Sequence, residues 1–374
     1  MSYTRPPYSK DAEFEEMPMM FSADTARVPK LEYPISVKEN FRRAALRDHP
    51  VWLPNSMTDV INVSQFDLEA PPAPDLPEGA EPPASPWGSK ERSNFVDDFG
   101  CTWTFVPEAG GPMLTPGVPP VVSDITNWEK EVRWPDFSKH EYVESQKKFM
   151  EKYGNVDKVL HLNIGQSCTE RLVALLGGYE QSMVAMAVEP EAVRDFLMAF
   201  AEFTKDRFLK MTEIAKIDFV TFHDDWGTER DTFFSPAMME EMVFEPTKLI
   251  IDAIKSRGCV FELHSCGKIE RFIPYMIDLG IDFVQLQRRA NDVPMLKEKY
   301  GGKIGFNTGL EGFGFGDPLP KGDELVEVIH KTVDLYGAGG GFYTMVHSPD
   351  PEQMWDATQE LFCYSREFYE KENA

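Results

Sequence analysis

His264-Ser265-Cys266 gathers the most chemistry into the fewest residues of this sequence. On an extended backbone, residues i and i+2 share a face. Glu262, His264 and Cys266 can therefore address one space with a carboxylate, an imidazole and a thiol. Those groups suit zinc, and a catalytic zinc site keeps one position open for substrate. His264 and Cys266 are thus candidate metal ligands, and His347 would complete a His/Cys/His set. The plainer alternative is a hydrogen-bonded core histidine beside a buried thiol. Asp224-Asp225 reads either as a cap or solvated turn, or as a carboxylate pair in which one member is held protonated or aimed at a substrate hydroxyl. With Glu262, these two are the candidate catalytic acids. Gln287 and Asn307 are neutral amides suited to orienting substrate oxygens, and Trp226 and Glu311 join them as candidate substrate contacts. Trp103, Trp226, Phe313 and Phe315 lie near loops and can wall an apolar pocket.

These residues gain weight from where they fall in a regular rhythm that begins near residue 157. Apolar runs at Val159–Ile164, Phe219–Phe222, Val260–Leu263, Phe283–Leu286, Ile304–Phe306 and Phe342–Val346 are predicted strands. Helical patterns at 169–180, 191–214, 236–257, 268–279, 293–299, 322–336 and 351–370 alternate with them. Proline near the start of two of these patterns, at Pro190 and Pro236, costs little there. Alternation with near-continuous apolar strands means a parallel sheet. The Trp52 segment supplies a seventh strand, and eight would close a barrel. Gly337-Ala338-Gly339-Gly340-Gly341 precedes a strand instead of opening a helix, so the dinucleotide fingerprint of a doubly wound sheet is missing. The expected fold is therefore α/β, a (β/α)8 TIM barrel. In such barrels the chemistry lies at the C-terminal strand ends. Five consecutive ends here carry His223-Asp224-Asp225, His264-Ser265-Cys266, Gln285-Leu286-Gln287, Asn307 and His347.

The front of the chain has another texture. Prolines from Pro71 to Pro86 cannot sustain a helix, and Cys101–Val106 alternates as a half-buried strand. The expected organisation is one barrel domain over 1–374. It carries a proline-rich irregular N-terminal extension as an arm over 1–45, and an irregular insertion over 62–150 packed on the barrel. Apolar residues make up 42% of the chain, enough for a large core. No apolar run reaches the roughly 18 residues of a membrane span, and no basic-then-apolar leader opens the sequence. Five scattered cysteines without a CxxC pair read as reduced thiols. The expectation is a cytoplasmic protein without membrane contact. A formal charge of −24 argues against nucleic acid, which needs a basic face.

Leu263-His264-Ser265-Cys266-Gly267-Lys268-Ile269, followed by Ile273-Pro274 and Leu279-Gly280-Ile281-Asp282, resembles the His-x-Cys-Gly segment of the uroporphyrinogen decarboxylase superfamily. Asp224-Asp225-Trp226-Gly227-Thr228 and Gly339-Gly340-Gly341-Phe342 are similar too. Within the superfamily the likeness is to the corrinoid-dependent methyltransferases. Pro50-Val51-Trp52-Leu53-Pro54, Asp98-Phe99-Gly100, Gly110-Gly111-Pro112-Met113 and Val132-Arg133-Trp134-Pro135-Asp136 resemble the substrate-demethylating subunits of bacterial O-demethylases. This resemblance implies a zinc-bearing barrel that passes a methyl group from a methoxylated small molecule to a corrinoid on a partner protein, with His264 and Cys266 as zinc ligands. A homodimer is compatible with it. The thiol-methylating relatives carry a second cysteine near the last strand, and His347 stands roughly there instead. The Arg-Gln-Ala-Gly-Arg run of true decarboxylases is absent. The alternatives are a corrinoid-to-thiol methyltransferase, a decarboxylase of a cyclic or aromatic acid, and a non-catalytic binding barrel.

Overall fold

The computed structural model describes residues 3–19, 25–72, 91–109, 111–165, 167–314 and 317–374. Phe315 and the prolines from Pro74 to Pro86 lie outside them. Seven parallel strands make one curled sheet: β1 (Val60–Val63), β2 (Val159–Ile164), β3 (Phe219–His223), β4 (Val260–Ser265), β5 (Phe283–Leu286), β6 (Gly305–Asn307) and β7 (Phe342–Tyr343). Their order across the sheet is their order along the chain. A doubly wound sheet reverses direction at a switch point, so this unbroken progression identifies a barrel-type winding.

The two edges of the sheet are brought together just before β1. Asn55 forms a parallel bridge with Thr344. The Ser56 N–H donates to Thr344 O at 2.9 Å, and the Thr344 N–H donates to Pro54 O at 3.1 Å. The Trp52 segment thus provides a single bridge where a full stave was expected, and the seventh strand is Val60–Val63. Asn55 then caps a one-turn helix, Ser56–Asp59, through Met57 N–H, which turns the chain directly into β1. The last stave is shorter than predicted and ends as a strand at Tyr343.

Helix α1 (Val37–Leu46) lies across the N-terminal strand ends. Its Phe41 ring packs against Phe219 at 5.1 Å, Tyr343 at 5.4 Å and Phe283 at 5.9 Å, the rings at the bases of β3, β7 and β5. The floor of the barrel is therefore closed by apolar side chains. The pattern predicted as one helix over 169–180 is two: α2 (Cys168–Leu176) and α3 (Tyr179–Val188). Gly177, at φ +82°, ends α2 in the left-handed conformation that a glycine adopts without a Cβ clash. Outside the sheet run α4 (Pro190–Met211), α5 (Phe244–Ser256), α6 (Val293–Tyr300), α7 (Gly322–Tyr336) and α8 (Pro351–Glu372). Ahead of β1, Phe14–Pro18 pairs with Thr25–Pro29, and between β1 and β2 the segments Ser93–Val96, Thr102–Val106 and Gly111–Leu114 form an antiparallel sheet. Among the described residues no helix is long and apolar enough to cross a membrane.

Candidate functional site

Alternation along β4 sets the site. Phe261 and Leu263 face outward into the helical layer, fully buried, so Glu262 and His264 face the barrel interior. The parallel ladder places His223 beside His264 on one side and Gln285 beside it on the other. Beyond β4 the chain turns sharply at Gly267, φ +82°, where an added Cβ would stand 2.2 Å from the backbone of Gly227. This glycine-on-glycine contact seats the Cys266 loop against the loop that follows β3. The Gln287 side chain holds it from the other flank, its Oε1 accepting the Gly267 N–H at 2.8 Å.

The result is a group of three. Ligand atoms of Asp225, His264 and Cys266 lie within 4.8 Å of one another. His264 Nε2 is 3.5 Å from Cys266 Sγ and 3.8 Å from Asp225 Oδ1. Asp225 Oδ1 also accepts the Cys266 N–H at 2.6 Å, which ties the loop after β3 to the loop after β4. His264 Nδ1 sits 2.5 Å from Gln285 Oε1. An amide oxygen can only accept, so Nδ1 carries the proton and Nε2 presents its lone pair to the other two. A hydrogen bond from the far ring nitrogen is the usual way a metal-binding imidazole is oriented. Burial lowers the His264 pKa, opposed by Asp225 and Gln285, so the ring favours the neutral form that binds cations. Burial, and then the neighbouring Asp225 charge, push the Cys266 thiol up. Without a cation it stays protonated. All three residues remain partly open to solvent.

The other expected residues take different places. Asp224, adjacent in sequence to Asp225, points the opposite way and is fully buried. Its Oδ1 accepts from Thr169 N–H (2.9 Å), the Thr169 hydroxyl (2.7 Å) and Glu170 N–H (3.0 Å), capping the first turn of α2. Its Oδ2 accepts the Trp226 indole N–H at 2.8 Å. Burial raises its pKa to about 6 despite those donors. Trp226 is likewise fully buried, packed on Phe272 and Phe234. The Glu262 carboxylate is not in the group of three. It sits in the interior, accepting from Tyr343 OH (2.6 Å), Thr221 OH (2.9 Å) and Asn307 Nδ2 (3.2 Å). Burial pushes it up to about 7, with Tyr343, Thr221 and Asn307 opposing. Asn307 Oδ1 is buried with no partner among the described residues. Glu311 pairs with Arg288 and accepts the Tyr336 hydroxyl. His347 stands outside the group, half-exposed, its Nδ1 buried without a partner among the described residues. The structure therefore assembles His/Cys/Asp rather than His/Cys/His.

Of three further residues, Gln285 and His223 are marked in the sequence only as part of their strand ends, without a role, and Tyr179 not at all. Gln285 is found only through its register opposite His264. The His223 ring lies 4.7 Å from the His264 ring, with Nε2 3.1 Å from Asn163 Oδ1. Tyr179, the first residue of α3, stacks on Phe233 at 4.5 Å. Burial raises its pKa, and the Asp225, Glu170 and Cys266 charges add to the rise. The break at Gly177-Gly178 was the available signal, because it frees Tyr179 to begin a new helix at the rim.

A family model described as Uroporphyrinogen decarboxylase (URO-D) matches residues 96–306, more than half of the chain. No curated protein matches. Among solved structures, a methyltransferase from Methanosarcina mazei has a TM-score of 0.59 at 14% identity, covering 90% of this chain and 99% of that one. At that identity the likeness speaks for the fold alone. A weaker, partial overlap reaches xylanase B from Clostridium stercorarium F9, with a TM-score of 0.31 at 16% identity over 55% of this chain and 70% of that one.

Proposed function

This chain belongs to the uroporphyrinogen decarboxylase (URO-D) family, and on that premise we propose that it is a methyltransferase that demethylates a methyl ether, a methoxylated aromatic, and passes the methyl group to a corrinoid carried by a partner protein. The observation that carries this reading is the convergence of one imidazole nitrogen, one thiol and one carboxylate within 4.8 Å at the strand ends. The likeness in fold to a methyltransferase over 90% of the chain supports it.

The donor set fits zinc: a nitrogen, a sulfur and an oxygen leave a fourth position for substrate. Asp225, His264 and Cys266 would hold the ion, with Gln285 fixing the His264 tautomer. Bound there, zinc would act as a Lewis acid toward an ether oxygen, whose departure as phenoxide is otherwise unfavourable. The stacked pair of Tyr179 and Phe233 would serve as an aromatic wall for the substrate ring. The Tyr179 hydroxyl, held protonated, can donate to the departing oxygen. Asn307 Oδ1, buried without a partner among the described residues, can accept from a ring hydroxyl of the substrate. An aspartate in the third position argues against thiol methylation, for which a third sulfur ligand is expected.

Metal analysis of the purified protein tests the first half of the reading. We expect about one zinc per chain, lost in Cys266→Ser and in Asp225→Ala. Incubation with methoxyarenes and reduced corrinoid protein tests the second, with phenol release as readout. A zinc-free protein that releases no phenol, or one that methylates a thiol instead, overturns it.

A further inference from the structure

At the opposite end of the barrel a buried lysine, Lys297, lies beside a half-buried arginine, Arg47. Arg47 ends α1 in the left-handed conformation, φ 59° and ψ 39°, a place that ordinarily favours glycine. Its stem lies over Gly341, whose added Cβ would stand 3.1 Å from Arg47 Cγ and 3.4 Å from Gly301 O. Lys297 of α6 comes from the other side: a Cβ on Gly301 would meet its Cδ at 2.9 Å. Its ammonium donates to Gly340 O. The two side chains thus flank the same glycine turn, and their charges repel.

Among the described residues neither cation has a carboxylate of its own. Arg47 Nη1 is buried with no hydrogen-bond partner among the described residues. The acid whose charge Arg47 feels, Asp282, is held by Lys255 at 2.8 Å and by the Phe261 N–H at 2.9 Å. The acid that Lys297 feels, Glu372, accepts the Gly339 N–H at 2.8 Å. Lys297 is 9% exposed, and burying a charge without a counter-charge is costly. Yet Lys297 is not sealed in. It lines a cavity of about 580 Å³ with Asp292, Glu298, Leu335 and Ala338.

From this arrangement we infer that Lys297 is a carbon dioxide site: its amine takes up CO2 as a carbamate, which Arg47 Nη1 then neutralises. The neutral Nζ lone pair attacks the carbon, and one C=O electron pair moves onto oxygen. One N–H proton leaves to water in the cavity, and the remaining N–H continues to donate to Gly340 O. A preformed oxyanion is the competing ligand for two cations. It would have to pass Asp292 and Glu298 on a chain of net charge −24, whereas CO2 enters uncharged and becomes an anion only on arrival. Burial lowers the Lys297 pKa to about 8, so a substantial neutral fraction is present near neutral pH. The product is an ion pair that pins the end of α1 to α6.

The test is alkylative trapping after incubation with carbon-13 bicarbonate, with the labelled lysine mapped by mass spectrometry on the full chain. Label on Lys297 is expected, and its absence in Lys297→Arg is the control. Arg47→Met, verified as folded by circular dichroism, should carry about tenfold less label at the same CO2, equivalent to about 1.4 kcal/mol. Label confined to other amines, or equal labelling of Arg47→Met, overturns the inference. So does protection of Lys297 by micromolar inorganic phosphate, which would mark an oxyanion site instead.

Discussion

Replacing His161 with glutamine should produce a stability deficit that shrinks as the solution is acidified. His161 is 6% exposed, between Asn62 Oδ1 at 2.9 Å and the Thr221 hydroxyl at 2.7 Å, with its ring stacked on Phe219 at 4.3 Å. Burial pushes its pKa down to about 3. In the unfolded chain the ring titrates near pH 6.5. Between those values the unfolded state holds a proton at this position that the folded state refuses, so the contribution is whole above about pH 6.5 and is lost as the pH falls toward 3. At about 1.36 kcal/mol per pH unit, acidification from pH 8 to pH 5 removes about 2 kcal/mol through this one group. By pH 4 the figure is about 3 kcal/mol. Glutamine does not titrate. At pH 8 the variant should be less stable by roughly 1–3 kcal/mol, from hydrogen bonds left unmade. At pH 5 most of that deficit should be gone. Urea unfolding of both proteins at pH 8, 6.5 and 5, in one salt concentration and followed by circular dichroism, measures the difference directly. A deficit of constant size across that range refutes the reasoning, because it would mean that His161 protonates as easily inside the barrel as outside it.

Other consequences can be checked alongside. Phe41→Ala removes the ring that closes the floor and should destabilise the fold by about 3–5 kcal/mol in urea, while zinc affinity measured by chelator competition stays within about twofold. Gln285→Ala should lower zinc affinity by roughly 10–100-fold through loss of the contact to His264 Nδ1. Its urea midpoint should move little, and an unchanged zinc affinity would remove Gln285 from the site. Gly267→Ala drives a methyl group into the Gly227 backbone. It should abolish zinc uptake as Cys266→Ser does, although it leaves every proposed ligand in place.

The fold was readable where strands are mostly apolar and alternate with helical patterns. Val159–Ile164 and Phe283–Leu286 are found with the bounds their apolar runs predict. Val60–Val63 was not, because it is short, follows directly on a one-turn helix and stands apart from the regular alternation that begins near residue 157. The rim was readable in outline, since His264 and Cys266 do meet. The third member of the group was not. Asp224 and Asp225 are indistinguishable in sequence, and only the register of β3 against β4 decides that one caps α2 and the other faces the thiol. Glu262 shows the converse error. Sharing a face with His264 is a correct inference from alternation, yet the next residue inward on that face lies a layer deeper, among Thr221, Asn307 and Tyr343.

Because the Phe41 ring of α1 stoppers one end, a substrate of the rim group would have to come and go by the opposite end. Traffic through one door is sequential. On the proposed reaction, a small molecule would have to be seated before a large partner leans on the rim, and its remnant would leave only after that visitor withdraws. The order of arrival and departure would then be set by a helix on the far side of the molecule, in contact with neither guest.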